Sequence, residues 1–189
     1  METFTRVLGM KSFWPSVCST VKTAACTGFL CTVTGFVYSV FVRFHEQKTC
    51  RRSILLNVIP MLPMSVSSVV LGILIIQIVK RGNFWCLVLA QTALTWPLAY
   101  RQIAPHMLKI SRETLDSASL LSKNIFQTVF KVILPLTVPG IVSSFGFCFA
   151  ISTGDTTLPL VLAIPKYECL SLFTYRLAGA YRFNEACAA

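Results

Sequence analysis

The sequence predicts an all-α, polytopic membrane protein, and three observations carry that prediction. Of its 189 residues 54% are apolar and only 13% charged, too little polar cover for a water-soluble domain of this size. Several stretches pass without a charge for close to the ~20 residues that cross the hydrocarbon of a bilayer. The 17 basic residues, set against 7 acidic ones, crowd into the short segments between those stretches, a bias that reports membrane topology. A nucleic-acid binder can share the net charge of +10 but would not leave such runs uncharged, so nucleic acid is not an expected partner.

Four candidate spans follow in order. Thr23–Val42, "TAACTGFLCTVTGFVYSVFV", holds twenty uncharged residues, about 30 Å of helix, with Lys22 placed to snorkel to the interface. Ser53–Val79 is also uncharged, and Pro60, Pro63 and Gly72 predict a broken helix whose freed carbonyls need protein or water partners. Phe84–Tyr100 is short and bent near Pro97. Val132–Gly154 contains Pro135, Pro139 and Gly140. One central lysine or aspartate costs ~2.5–3.5 kcal/mol on insertion, so the absence of charge from the second and fourth runs is informative.

Orientation comes from lysine and arginine. Arg43, Lys48, Arg51 and Arg52 follow the first span, and Arg101, Lys109, Arg112, Lys123 and Lys131 follow the third. Lys80 and Arg81 alone separate the second from the third. The two richer loops are therefore predicted to be cytoplasmic. Beyond Gly154, the apolar stretch Leu158–Pro165 is too short to cross and is expected to run along the outer surface or re-enter partway. No repeat or low-complexity linker divides the chain, so residues 1–189 read as one transmembrane domain. "EACAA" at its end resumes helix-forming character, and a further, missing helix is the expectation.

The eight cysteines never form a CxxC pair and only two histidines accompany them, so neither a metal site nor a disulfide framework is expected. His45 and His106 read as solvated loop residues. No cofactor is expected.

The loop of residues 101–131 is unusually patterned. Leu115, Ala118, Leu121, Ser122, Ile125 and Val129 recur on one side of a helix, with Asp116, Ser119, Lys123, Gln127 and Lys131 on the other. Asn124 is placed to turn the chain and cap a second helix, with Gln127 as its reciprocal partner. The expectation is helix, tight turn, helix, then span. Its apolar face fits a groove on a cytoplasmic partner or the lipid headgroups.

Here the sequence resembles the permease subunits of binding-protein-dependent ABC importers, whose cytoplasmic motif reads EAA, three residues, Gly, nine residues, Ile, one residue, Leu-Pro. Without a gap, Asp116, Ser117 and Ala118 take the EAA places, Ser122 the glycine, Val132 the isoleucine, and Leu134 and Pro135 the final pair. "WPLAYRQIAPHML", "VPGIVSSFGFCFAISTGD" and "LPMSVSSVVLG" also look like that family's core, and "YRLAGAYRFNEACA" is most similar to its thiamine and ferric-iron branch. The resemblance implies a coupling helix, with Lys123 beside its centre, that an ATP-binding subunit grips. It also implies a second permease half, an extracytoplasmic substrate-binding protein, and a multi-pass place in a bacterial inner membrane. The departures are aspartate for glutamate, serine for alanine and serine for glycine. The chain carries no phosphate-binding GxxxxGK[ST] loop, so ATP hydrolysis is expected of a partner, and the chain itself is read as non-catalytic.

Ser143, Ser144 and Asp155 are candidates for a substrate path, with capping of the next segment the plainer role for Asp155. Tyr175, Arg176, Tyr181 and Arg182 either receive the binding protein or anchor the chain at the interface. Two rival readings are a degenerate or truncated permease without activity, and an intramembrane enzyme using Asp155 or Glu168. The second lacks a partner group at the same depth.

Overall fold

A computed structural model describes residues 6–45, 56–80, 82–121, 125–165 and 167–187, and the side chains of His45, Arg112, Asp116, Ser119, Leu120, Leu121 and Ile125 fall outside that description. The described residues form helices and the turns between them, with no strand among them. In chain order the helices are α1 (Phe13–His45), a 3₁₀ segment (Ile59–Ser65), α2 (Ser68–Val79), α3 (Phe84–Leu108), α4 (Arg112–Leu121), α5 (Ile125–Thr128), a π stretch (Val129–Ile133), α6 (Leu134–Gly154), α7 (Thr157–Leu162), α8 (Leu170–Gly179) and α9 (Phe183–Ala186).

Among the described residues two helical runs, Phe13–Phe44 and Phe126–Gly154, are long and apolar enough to cross a membrane. A third crossing is available if Leu56–Ser65 and Ser68–Val79 count as one span bent by 78°. That break falls at Val66 and Ser67, just beyond Pro63, whereas Gly72 lies within α2. Among the described residues the predicted third span is not one of the helices apolar enough to cross by length and composition. α3 is 25 residues long, but Gln91, Thr92, Thr95 and Arg101 dilute it. The first span also starts earlier than predicted: α1 has 33 residues, about 50 Å against a hydrocarbon core of ~30 Å.

The chain divides into two compact units. One comprises Met1–Thr27, Val66–Ala93 and Phe149–Ala189; the other comprises Gly28–Ser65 and Leu94–Cys148.

In the first unit α7 lies against α2. Gly72 permits this contact, since a Cβ there would stand 2.9 Å from Val161 Cγ1. The predicted outer segment thus becomes a short helix seated on α2. A small core of Val7, Phe173 and Leu177, flanked by Met10, Phe13 and Leu170, holds α8 to the start of the chain.

The second unit is built around Ile103, Met107, Ile110 and Ile133, with Phe36, Val40 and Phe44 of α1 packed against them. Cys31, Ala99 and Cys148 form a second buried cluster beside Trp96, with both cysteines acting as small apolar fillers. Tyr38 meets Trp96 and Tyr100 edge to face, with ring centroids 5.3 and 5.1 Å apart, and its hydroxyl donates to the Leu56 carbonyl at 2.7 Å.

His106 departs from its predicted place in a solvated loop. It occupies the last turn of α3, half-buried, where Gly140 of α6 makes room for its ring. A Cβ at position 140 would lie 2.7 Å from His106 Cδ2. Gly140→Ala is therefore expected to cost about 1 kcal/mol, and His106→Ala in the same chain to remove most of that cost. Unfolding midpoints of the two single variants and the double variant in dodecyl sulfate measure the coupling.

Candidate coupling segment and substrate path

The candidate coupling segment begins where α3 ends. Arg43 of α1 donates from Nη2 to the carbonyl of Ile110 at 2.7 Å, holding the chain where it leaves the helix. Ser111 then starts α4: its Oγ accepts from the Thr114 amide at 3.2 Å and lies 2.7 Å from the Thr114 hydroxyl. This is an N-cap, which satisfies an amide the first turn leaves open. Glu113 in that first turn opposes the positive end of the helix dipole. Neither device was read from the sequence, although a serine three residues before a threonine at the edge of a polar helix is the signal that carries them.

α4 places Ser117 on an exposed face and half-buries Ala118, while Asp116 belongs to the same helix. Ser122, Lys123 and the predicted turn residue Asn124 lie outside the described residues. Two residues of the loop's apolar face, Leu115 and Val129, pack against the chain's own core of Ile103, Met107, Ile110 and Ile133, while the side chains of Leu121, Ser122 and Ile125 on the same face lie outside the described residues. Glu113, Thr114 and Ser117 on α4, and Phe126 and Gln127 beyond it, remain exposed.

The second limb of the loop does not stop before the span. From Ile125 the chain is helical to Gly154, through the π stretch. There the Leu134 amide reaches back five residues to the Val129 carbonyl. Pro135 supplies a physical reason: its ring would crowd the carbonyl four residues back, and a widened turn relieves that clash. The Leu134–Pro135 pair thus sits where the loop merges with a membrane helix, with Leu134 half-buried and Pro135 exposed. Thr137 then donates to the carbonyl of Ile133 at 2.8 Å.

The three candidate path residues are placed differently from one another. Ser143 is exposed on α6. Ser144 is fully buried, its Oγ 3.5 Å from Thr32 Oγ1 of α1. Both belong to the second unit and Asp155 to the first. Asp155 Oδ1 accepts from the amides of Thr157 and Leu158 at 3.0 and 3.4 Å, so the carboxylate caps α7. Its Oδ2 accepts from Gln91 Nε2 at 3.1 Å, and its backbone carbonyl accepts from Ser171 at 3.1 Å.

Gln91 is the hub that sequence reading undervalued as one of many polar span residues. Its Oε1 accepts from Ser152 at 2.8 Å and from Thr27 at 3.1 Å, so one buried amide joins α1, α3, α6 and the start of α7. A lone amide within "FWCLVLAQTALT" is the available signal, because such a group in an apolar helix must find partners.

Also in the first unit, Arg176 is paired with Glu168, and Arg182 Nη2 lies 2.5 Å from Glu185. Tyr181 is 85% exposed with φ of 60° and meets Phe183 edge to face. Tyr167 bonds the Thr23 hydroxyl, and burial pushes its phenol above the usual range while that bond pulls the other way. Among the described residues no cluster of three His, Cys, Asp or Glu side chains is placed to hold a metal.

With this geometry in place, the sequence profile described as "binding-protein-dependent transport system inner membrane component" matches residues 35–188. The chain belongs to that family. As a family member it is an inner-membrane protein with apolar spanning helices. Similar curated proteins include the spermidine/putrescine transport system permease protein PotC of Escherichia coli K12, 24% identical over 65% of this chain and 47% of the relative. The PotC of Shigella flexneri gives the same figures. The sulfate transport system permease protein CysW of Synechococcus elongatus is 29% identical over 67% of this chain and 55% of the relative. The chain thus spans about half the length of the curated relatives it matches. Their names specify polyamines and sulfate, which lends no support to the thiamine and ferric-iron branch that the tail resembles.

Proposed function

We propose that this chain is a non-catalytic translocation subunit of an ATP-driven importer, multi-pass in a bacterial inner membrane. In this reading a cytoplasmic ATP-binding subunit grips the segment from Asp116 through Ser117, Ala118, Ser122 and Lys123 to Leu134 and Pro135. A second permease half completes the path, and an extracytoplasmic binding protein delivers the substrate. The supporting observation is the family match over residues 35–188, within which the second limb of the loop runs as helix from Ile125 through Leu134–Pro135 to Gly154. That run is continuous, so a push on the second limb is carried into the span without a break in the helix. Ser143, Ser144 and Asp155 are the path residues of this proposal.

The cargo is a small solute. Thiamine or ferric iron is the finer reading, supported by "YRLAGAYRFNEACA" alone. The relatives named above carry a polycation in one case and a dianion in the other, so their cargoes do not choose between charges.

Two measurements test the proposal. Subunits recovered with the tagged chain from native membranes should include an ATPase and a secreted binding protein. In that complex, Ser122→Cys should cross-link to a cysteine in the ATPase cleft, and Lys123→Glu should lower uptake at least about tenfold while ATP hydrolysis continues. Undiminished uptake in Lys123→Glu together with no cross-link rules out coupling through this loop. Uptake of labelled thiamine, ferric iron, spermidine and sulfate by the same membranes identifies the cargo.

A further inference from the structure

The candidate coupling segment touches a second membrane helix besides the one it runs into. The buried core of Ile103, Met107, Ile110 and Ile133 is shared by several elements of the second unit. Phe36, Val40 and Phe44 reach it from α1, Leu115 from α4, and Val129 from the π stretch. The three α1 residues recur every fourth position, so one stripe of that helix faces the core. Ile103 and Ile133 are fully buried, and a close-packed interior has little room to compress. A displacement of Leu115 is therefore passed to α1 unless the contact opens.

A polar bond crosses the same junction. Arg43, in the last turn of α1, donates from Nη2 to the Ile110 carbonyl at 2.7 Å. The amides of Lys109 and Ile110 bond back to the carbonyls of Pro105 and Met107, so α3 closes just before this carbonyl. Carbonyls at the end of a helix favour a cation. Lys109, the nearest in sequence, is exposed, and the place is taken by an arginine from another helix. A bond with a charged donor is stronger than one between neutral groups, which suits Arg43 to hold α1 to the point where α4 departs.

We propose that α1 is a second output of the coupling segment, alongside α6, and that Arg43 is the positioning residue that ties it to Ile110. This role rests on the reading of the chain as a subunit of an ATP-driven importer. With the bond made, a push on α4 moves α1 and α6 together. Without it α1 is held by apolar contact alone and lags.

The test uses the tagged complex with its ATPase in nanodiscs, carrying Thr34→Cys on α1 or Val138→Cys on α6 as a reporter. Both positions are exposed. A lipid-soluble maleimide labels them with and without ATP and vanadate, and peptide mass spectrometry separates each from the native cysteines. Trapping should change the labelling rate about fivefold at both positions. Arg43→Gln should remove that change at position 34 and keep it at 138, and uptake per ATP hydrolysed should fall about fivefold. Arg43→Lys, which retains the charge and a donor, should keep the response at position 34 within about twofold of the parent. If the glutamine variant does not assemble, Leu115→Ala decides: thinning the apolar contact should weaken the response at 34 and leave that at 138. An unchanged response at position 34 in whichever variant decides overturns the proposal, as does loss at both positions together. A parent that responds at 138 but not at 34 overturns this role alone. A parent that hydrolyses ATP with no response at either position overturns the importer reading, and this role falls with it.

Discussion

Valine at position 35 should force α1 away from α3 and lower the stability of the second unit by about 2–3 kcal/mol, the upper range for overpacking. A Cβ there would stand 2.9 Å from Ala99 Cβ and 2.9 Å from the Tyr100 amide nitrogen. Neither obstacle can swing aside, since one is backbone and the other is fixed to it. The strain would spread to groups that depend on the same approach: the buried Cys31, Ala99 and Cys148 cluster and the aromatic contacts of Tyr38. Gly35→Ala should fall in the same direction with a smaller cost. Small residues at helix crossings allow backbones to close, and much of membrane-helix association comes from that packing. Unfolding in dodecyl sulfate measures the effect. A midpoint for Gly35→Val equal to that of the parent would mean that α1 and α3 do not meet here.

Asp155 gives the second large effect, and two substitutions separate its possible roles. Asp155→Ala removes the acceptor of two amides at the start of α7 and the partner of Gln91. A lost cap costs about 1 kcal/mol and a hydrogen bond to a charged group ~1.5–3 kcal/mol, so roughly 2–4 kcal/mol is expected in total. Asp155→Asn retains an oxygen for the amides but turns an NH2 toward Gln91 Nε2, so it loses that bond together with the charge and should cost about 1–2 kcal/mol, less than alanine. If the residue acts as a cap, transport by the asparagine variant stays near normal. Loss of transport in a stably folded Asp155→Asn chain would assign the carboxylate to the substrate path instead. Stability and uptake measured on the same preparations distinguish the two.

Much of the fold was legible because membranes impose a coarse rule. The apolar runs ending at Val42 and Gly154 lie in the two helices that meet the length and composition of a span. The prolines of the second run fall beside a bend of 78°. Where the reading failed, the cause was a competing local force. The 84–100 segment contains Gln91, Thr92 and Thr95, which bond within the protein or to their own helix and so lower its apolar average without making it a loop. That Leu115 and Val129 pack against the chain's own core lay beyond the sequence, since periodicity shows that a face is apolar and says nothing of what lies opposite. His106 was read as solvated because nothing in the sequence announces that Gly140 packs beside it.

By itself the sequence determined the all-helical membrane class, the apolar runs and the spacing that links Asp116 to Leu134–Pro135, since each is set by local composition and period. Only the tertiary structure decided that Gln91 joins four elements and that α1 and α3 touch through Gly35. Those contacts join residues 61 to 65 positions apart, whereas the cap at Asp155 lies two to three residues from the amides it accepts and was within reach of the sequence. A one-dimensional pattern fixes which groups must find partners; packing fixes which partners they find.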